Sequence, residues 1–264
     1  MIIDFHTHIF PDTLAERATA ALYESAGGIY EPSHNGTLAG LLSTMDAAGV
    51  DMSINLPVLT KRSQTTSTNQ WAASITSDRM ISFGGIYPLS DSYKEDIDFV
   101  VSLELKGIKL HAEYQGFTLD DPAMLKVYDY ALAQGLIIVH HAGFDPAFPA
   151  PFRSNPEMFA KIAKSMQGGV MVAAHLGGHA QWDDVEKYLV GTDIYLDTSM
   201  GFEYYSHEQF IRIVENHGAD KILFGTDSPW SNATSELKTL QSLPLPASTI
   251  EAITGGNAKR LLGL

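Results

Sequence analysis

The chain has 264 residues, of which 17 are Lys or Arg and 31 are Asp or Glu, so its formal charge is −14. This acidic balance argues against nucleic acid or an anionic membrane as the main partner, because both need a basic protein surface. The sequence contains no cysteine, which excludes disulfides, thiolate metal ligands and cysteine nucleophiles.

Short apolar or β-branched runs alternate with helical stretches along the whole chain. Eight runs predict strands, at residues 2–8, 51–57, 81–86, 107–111, 136–141, 170–175, 194–197 and 222–226. The stretches that follow them predict helices, at residues 38–48, 66–75, 93–104, 122–134, 156–166, 182–190, 207–216 and 235–240. The last residues, 249–264, predict a short helix, a turn at Gly255, Gly256 and Asn257, and a closing helix.

This alternation predicts an α/β protein with a parallel sheet, because each helix carries the chain back across the sheet. Eight strand–helix units in 264 residues match a (β/α)8 TIM barrel in number and size. The rival, an open doubly wound sheet, lacks support because no glycine-rich phosphate turn follows the first strand. No linker or low-complexity tract interrupts the pattern, so we expect one domain over residues 1–264.

The N-terminal sequence MIIDFHTHIFPD places acid and histidine where a secretory signal has a basic start and an apolar run. No uninterrupted apolar stretch approaches the roughly 20 residues of a membrane span. We therefore expect a soluble, cytoplasmic protein.

The first predicted strand ends in a His-x-His pair. Because side chains alternate along a strand, His6 and His8 lie on one face, with Phe5 and Thr7 on the other. Two imidazoles side by side at the mouth of a barrel can chelate one cation. The alternatives are a chance pair or two histidines satisfied within the core.

Three further predicted strands end in residues that can bind a metal. The fifth ends in His140 and His141, of which only one is expected to face inward. We favour His141, since the Ala-Gly pair after it gives a tight exit from the strand, and place His140 outward. His175 ends the sixth strand and Asp227 follows the eighth.

These strand ends meet at the rim where TIM barrels carry their active sites. Taken singly, each residue is explained as well by structure, for example by turn chemistry around Asp227. Taken together, they predict a divalent metal site. Imidazole and carboxylate ligands suit Zn²⁺, Mn²⁺ or Fe²⁺, with an open position for water.

Six motifs span the chain in order: Asp4-Phe5-His6-Thr7-His8, Gly107-Ile108-Lys109-Leu110-His111, His141-Ala142-Gly143, Ala174-His175-Leu176-Gly177-Gly178, Phe224-Gly225-Thr226-Asp227-Ser228-Pro229 and Gly256-Asn257-Ala258-Lys259-Arg260-Leu261-Leu262. In these motifs the sequence resembles the amidohydrolase superfamily. More narrowly, it is similar to the amidohydrolase-related branch that includes aminocarboxymuconate semialdehyde decarboxylase and its hydrolase relatives.

The resemblance implies a (β/α)8 barrel that holds one divalent metal, usually zinc, with Mn²⁺ or Fe²⁺ as alternatives. It maps His6, His8, His141 and Asp227 onto the metal ligands. It also implies that His175 is a catalytic residue that activates or orients the metal-bound water. Asp227 is expected to serve as both ligand and proton acceptor.

Lys109 shares a strand face with His111, so both can look into the barrel. We favour a role in which Lys109 binds a carboxylate or carbonyl of the substrate. The alternatives are a structural ion pair and a carboxylated lysine that bridges two metals, as in binuclear relatives.

Three more residues are candidates for substrate binding: His111 at the end of strand four, Arg153 in a proline-rich segment after strand five, and Trp230 just beyond Asp227. The Arg153 guanidinium could hold a carboxylate, although a solvated loop arginine is an equally simple interpretation. The other histidines, His34, His179, His207 and His217, are expected mostly at the surface or in loops, with His34 in a long turn that could cover the mouth.

The expected function is a metal-dependent hydrolase that acts on a small amide, lactone or ester. The alternative is a lyase, a non-oxidative decarboxylase of a small unsaturated or aromatic carboxylic acid. Both use the same ligands, and the short chain mildly favours the hydrolase because the decarboxylase relatives tend to carry longer insertions. A third, non-catalytic metal-binding barrel is disfavoured by the intact His175. The expected partner is a small molecule, and a homodimer is left open.

Overall fold

The computed structural model describes residues 1–166 and 168–264. The strands in these residues are β1 (Ile3–Thr7), β2 (Met52–Asn55), β3 (Met80–Ser82), β4 (Gly84–Gly85), β5 (Gly107–Leu110), β6 (Ile137–His140), β7 (Met171–Ala173), β8 (Tyr195–Asp197) and β9 (Ile222–Leu223). They form two sheets, β1-β2-β3 and β4-β5-β6-β7-β8-β9. Every pairing between neighbouring strands is parallel.

The two sheets are parts of one closed barrel. Only Phe83 separates β3 from β4, so the pair forms the third predicted strand, and the Phe83 N–H donates to the carbonyl of Asn55 at 2.9 Å. At the other junction, the Phe5 N–H donates to the carbonyl of Phe224 at 2.8 Å, which joins β1 to the chain leaving β9. The predicted (β/α)8 TIM barrel is therefore confirmed.

The helices are α1 (Asp12–Ser25), α2 (Leu38–Ala48), α3 (Thr65–Ser74), α4 (Tyr93–Ser102), α5 (Ala112–Gln115), α6 (Pro122–Ala133), α7 (Pro156–Ala163), α8 (Trp182–Asp184), α9 (His207–His217), α10 (Ala233–Ser242), α11 (Ala247–Glu251) and α12 (Asn257–Leu262). Short 3₁₀ or π turns occupy Arg62–Gln64, His175–Gly177, Val185–Leu189, Ala219–Lys221 and Ala252–Gly256. Among the described residues, no helix combines the length and apolar character that a membrane crossing requires.

Polar side chains begin several of these helices by accepting a hydrogen bond from a backbone N–H of the first turn. Thr37 caps α2, Asp121 caps α6, Asn155 caps α7 and Ser206 caps α9. Each such cap stabilises its helix by about 1 kcal/mol. These four helices lie close to their predicted positions, since cap and apolar period agree in each case.

Two features differ from the predictions at the chain ends. Helix α1 was not predicted, because it buries only Ala15 and Thr19 and so carries no clear apolar stripe. The turn predicted at residues 255–257 is wrong, since helical backbone runs through it. Gly255 is needed there because a Cβ would overlap the carbonyl oxygen of Met1.

Buried apolar side chains form two clusters. The smaller draws on strands of both sheets, with Phe5, Ile54 and Val139 among its members, and fills the barrel interior below the rim. The larger packs the outer faces of the strands against the helices, through residues such as Ile108 and Phe159. The interior is thus apolar except near the carboxyl ends of the strands, where the polar residues gather.

Candidate metal centre and active site

The histidine pair after β1 and the aspartate after β9 meet at the mouth of the barrel. His6 Nε2 lies 3.2 Å from His8 Nε2. One oxygen of Asp227, Oδ1, lies 3.2 Å from His6 Nε2 and 3.0 Å from His8 Nε2. The structure therefore brings together three of the four predicted metal ligands, and confirms that His6 and His8 share a strand face. The expectation that Phe5 faces the other way is wrong, because the pairing of β1 shifts register between Asp4 and Thr7 and Phe5 also lies in the barrel interior.

The hydrogen bonds at the far side of each ring place the lone pair of each imidazole on Nε2, the nitrogen that faces Asp227. The His8 Nδ1–H donates to the carbonyl of Leu56 at 2.8 Å, and the His6 Nδ1–H donates to Asp197 Oδ2 at 2.9 Å. Because a neutral imidazole carries one proton, both Nε2 atoms then hold lone pairs. A metal ligand needs that lone pair and a second partner that fixes the ring, so this donor set fits a divalent metal.

Asp227 completes the donor set as a carboxylate. Burial acts to raise the pKa of Asp227, but the contacts with His6 and His8 lower it by more, and its pKa lies well below the ordinary value. The contacts with His6 and His8 therefore favour the ionised carboxylate, the form that can bind a cation.

The backbone of two site residues is left-handed, with φ of 66° at Asp227 and 58° at His175. Such conformations cost a non-glycine residue of order 1–3 kcal/mol and occur often at functional sites. The Asp227 N–H donates to the carbonyl of His6 at 2.8 Å, and the His175 N–H donates to Asp197 Oδ1 at 3.0 Å. These two bonds hold the strained residues in place.

His141, the fourth predicted ligand, is not in that group of three; its possible ligand atom lies within 4.8 Å of those of His111 and Asp145. Its Nδ1 is 3.0 Å from His175 Nε2, and its ring stacks on His111 with centroids 4.0 Å apart. No described residue makes a hydrogen bond with the buried His141 Nε2. His140 faces outward as expected, packed between Phe117 and Phe159.

Lys109 points into the same cluster. Its side chain is buried, and Nζ donates a hydrogen bond to His6 Nε2 at 3.0 Å. Burial lowers the pKa of Lys109 to about 8, although Asp227 and Asp197 act in the opposite direction. Lys109 therefore occupies the lone pair that His6 would offer to a metal, and this hydrogen bond would have to break when a metal binds.

A family model described as Amidohydrolase matches residues 3–264. The chain belongs to the amidohydrolase family. The resemblance found in the six motifs is thus confirmed over nearly the whole length. Comparison with curated proteins by sequence finds no match.

Solved structures show which folds this amidohydrolase is similar to. An uncharacterised TIM-barrel protein from Bordetella bronchiseptica is 20% identical, with a TM-score of 0.78 and coverage of 99% of this chain and 98% of that one. A 5-carboxyvanillate decarboxylase from Novosphingobium aromaticivorans, complexed with manganese and 4-hydroxy-3-methoxy-5-nitrobenzoic acid, is 14% identical, with a TM-score of 0.75 and coverage of 100% and 96%. A probable 2-pyrone-4,6-dicarboxylic acid hydrolase from Acinetobacter baumannii, with citric acid bound, is 15% identical, with a TM-score of 0.66 and coverage of 100% and 99%. At these identities the likeness establishes the fold.

The predicted substrate-binding residues of the amidohydrolase have different surroundings from one another. His111 is buried, with Nε2 3.2 Å from Asp145 Oδ2. Trp230 is half-buried and lines a cavity of ≈ 200 Å³ together with Tyr30. The Arg153 side chain is exposed, and the contact it makes through its backbone is an N–H donated to Glu113 Oε1 at 2.8 Å.

The expectation of a surface or loop position is wrong for His217, the buried last residue of α9, whereas His179 lies in a loop before α8 as expected, although its side chain is buried. His179 is buried, with Nε2 3.2 Å from the hydroxyl of Tyr30. His217 is also buried, where its Nε2–H donates to the carbonyl of Ile194 at 2.8 Å. His207 is exposed, as expected. The sequence around His179 and His217 does not indicate that these rings contact Tyr30 and Ile194, because both partners lie elsewhere in the chain.

His34 was expected in a turn over the barrel mouth, and its contacts agree. The half-buried ring donates through Nε2–H to the hydroxyl of Ser228 at 3.0 Å. The neighbouring Ser33 N–H donates to the carbonyl of Pro229 at 2.7 Å. The segment before α2 is therefore bound directly to the loop that carries Asp227.

Three polar residues of the site were not identified from the sequence: Asp145, Asp197 and Ser199. Asp197 is the last residue of β8 and is fully buried beside His6. A carboxylate at a strand end was the one available signal, the same signal that identified the aspartate after β9. Ser199 follows two residues later, where a serine is ordinary loop composition.

Proposed function

We propose that this chain is a metal-dependent hydrolase that uses a metal-activated water to cleave a small amide, lactone or ester. The observation that carries the proposal is the group of His6, His8 and Asp227, whose ligand atoms lie within 4.8 Å of one another, with His6 buried and the other two half-buried. Both ring lone pairs face the carboxylate, and a water at an open position would be next to a proton acceptor.

His6, His8 and Asp227 would hold the metal, and we propose His141 as the fourth ligand. Zn²⁺ suits these nitrogen and oxygen donors, with Mn²⁺ and Fe²⁺ as alternatives. When bound, the metal would lower the pKa of a coordinated water toward about 7 and polarise a substrate carbonyl.

The residues around the ligands would move protons and hold the substrate. The ionised Asp227 would accept a proton from the attacking water. His175, next to His141, would orient that water or return a proton to the leaving group. Lys109 would donate to a carbonyl or carboxylate oxygen of the substrate, with the structural ion pair and the carboxylated bridge as alternative roles.

The substrate would enter from the side of the aromatic loops. Trp230 and Tyr30 line the cavity of ≈ 200 Å³ and could contact an apolar part of the substrate, while His111 could hydrogen-bond a polar one. Arg153 stays a candidate for a carboxylate of the substrate, on condition that its exposed side chain turns toward the mouth.

The second candidate function is non-oxidative decarboxylation of a small unsaturated or aromatic acid. Two observations favour it. The Novosphingobium structure is named a decarboxylase, and Lys109 is a buried cation beside the ligands that could hold a carboxylate. The same donor set would serve either reaction.

The test compares two products from one protein sample. The zinc-loaded and manganese-loaded chain is mixed with a panel of simple lactones, esters and amides and a panel of phenolic acids, while acid release and CO₂ release are followed separately. We expect acid release by the wild type and by the exposed-site control His207→Ala, and none by His8→Ala. CO₂ release alone would replace the hydrolase with the decarboxylase. Metal binding without turnover of either panel would contradict both.

A further inference from the structure

The hydroxyl of Ser199 connects three groups behind the metal centre. It is fully buried and lies within hydrogen-bond distance of Asp197 Oδ1, at 2.9 Å from His175 Nδ1 and at 3.1 Å from His6 Nδ1. A serine hydroxyl has one proton to give and two lone pairs to accept with, so the proton can go to only one of these partners.

Asp197 accepts the hydrogen bond from the Ser199 hydroxyl. Its Oδ1 also accepts the N–H groups of His175 at 3.0 Å and of Ser199 at 3.1 Å, while its Oδ2 accepts the His6 Nδ1–H. An oxygen that already accepts two backbone N–H groups carries no proton of its own to give. The Ser199 O–H must therefore donate to Asp197 Oδ1.

The direction of this bond determines the next two rings. Ser199 Oγ is left to accept, so His175 donates to it through Nδ1–H. The carbonyl of Ser199, 3.3 Å from the same nitrogen, favours the same proton position. His175 Nε2 then holds a lone pair and accepts from the His141 Nδ1–H at 3.0 Å. His141 Nε2 is thereby left with a lone pair, and it is the buried nitrogen for which the described residues offer no partner.

We propose that Ser199 is a positioning residue that, with Asp197 behind it, sets the tautomers of His175 and His141 so that His141 Nε2 keeps the lone pair that a metal ligand needs. This inference rests on the proposed function, since it assigns how the fourth ligand is prepared. Ser199 touches neither metal nor substrate in this role. It acts through two hydrogen-bonded rings.

The test compares Ser199→Ala with Ser199→Thr, which keeps the hydroxyl, and with Ser53→Ala. Ser53 is a matched control because it is buried in a barrel strand and, within the described part of the chain, its hydroxyl has no hydrogen-bond partner. Two quantities are measured on the metal-free and the zinc-titrated protein: the ¹⁵N spectrum of labelled histidine rings, which distinguishes the two tautomers, and the dissociation constant for Zn²⁺.

We expect His175 and His141 to be protonated at Nδ1 in the wild type, Ser199→Thr and Ser53→Ala. In Ser199→Ala we expect mixed tautomers at these two rings and Zn²⁺ affinity weakened about 10- to 100-fold, the usual effect of losing a group that orients a metal ligand. Unchanged tautomers and an affinity within about twofold in Ser199→Ala would overturn the proposal, as would an equal loss in Ser53→Ala. If the wild type binds no divalent metal, the proposed function fails, whereas the tautomers of the metal-free rings still decide the role of Ser199.

Discussion

The substitution Asp197→Asn tests how the buried carboxylate prepares His6. With its amide oxygen in the place of Oδ1, an asparagine keeps the acceptor for the His175 N–H, the Ser199 N–H and the Ser199 hydroxyl. Its NH₂ group then takes the place of Oδ2, 2.9 Å from His6 Nδ1. Two N–H groups would face each other there, so His6 must move its proton to Nε2 or lose the bond.

Either outcome removes the arrangement that offers His6 Nε2 to a metal. A hydrogen bond to a charged group contributes about 1.5–3 kcal/mol, and each 1.4 kcal/mol is about tenfold in affinity. We therefore expect Asp197→Asn to weaken Zn²⁺ binding about 10- to 100-fold and to lower the free energy of unfolding by about 1.5–3 kcal/mol.

Metal content per chain, a chelator competition and urea denaturation measure these effects. Asp193→Asn is the matched control, because the Asp193 side chain is 97% exposed and its ion pair with Lys221 lies on the surface, where such pairs contribute little. An Asp197→Asn protein that holds zinc as tightly as the wild type would refute the assignment of the His6 proton to Nδ1.

Three further predictions concern turnover, pH and backbone strain. His175→Asn should keep the metal and lose most turnover of whichever substrate the panel identifies, and full activity would remove His175 from the mechanism. Burial raises the pKa of Glu236 from 4.5 to about 7, so this group lowers the free energy of unfolding as pH rises from about 4.5 through 7. In urea denaturation, the free energy of unfolding of Glu236→Gln should therefore exceed that of the wild type by up to about 3 kcal/mol at pH 8 and equal it at pH 4. An equal gain from the exposed Glu208→Gln would contradict this. Gly143→Ala should destabilise more than Gly135→Ala, because both have positive φ but only at Gly143 would a Cβ overlap backbone, that of His179; equal unfolding midpoints would contradict it.

Local sequence patterns predicted much of the fold. Eight apolar runs separated by helical stretches predicted the (β/α)8 barrel, since parallel strands need a crossover and eight units of this size close a barrel. Helix α1 was not predicted because an apolar period is visible only where a helix buries a stripe of apolar side chains, and α1 buries only Ala15 and Thr19. The pair Gly255-Gly256 was predicted to form a turn because the sequence pattern does not show that Gly255 packs against Met1, a residue at the other end of the chain.

Part of the candidate site was likewise predictable from local sequence, and the rest was not. Strand alternation was enough to place His6 and His8 together, because a period of two is a property of the local backbone. Alternation also predicted that only one of His140 and His141 faces inward, and the Ala-Gly pair after His141 favoured that residue.

The groups behind the ligands come from distant parts of the chain. Asp197 and His6 are 191 residues apart, and Ser199 and His175 meet only because β7 and β8 pair side by side. Local periodicity says which way a side chain faces and nothing about its partner across the barrel. Which nitrogen of each histidine carries the proton depends on those partners, so the chemistry of the ligands follows from closure of the barrel.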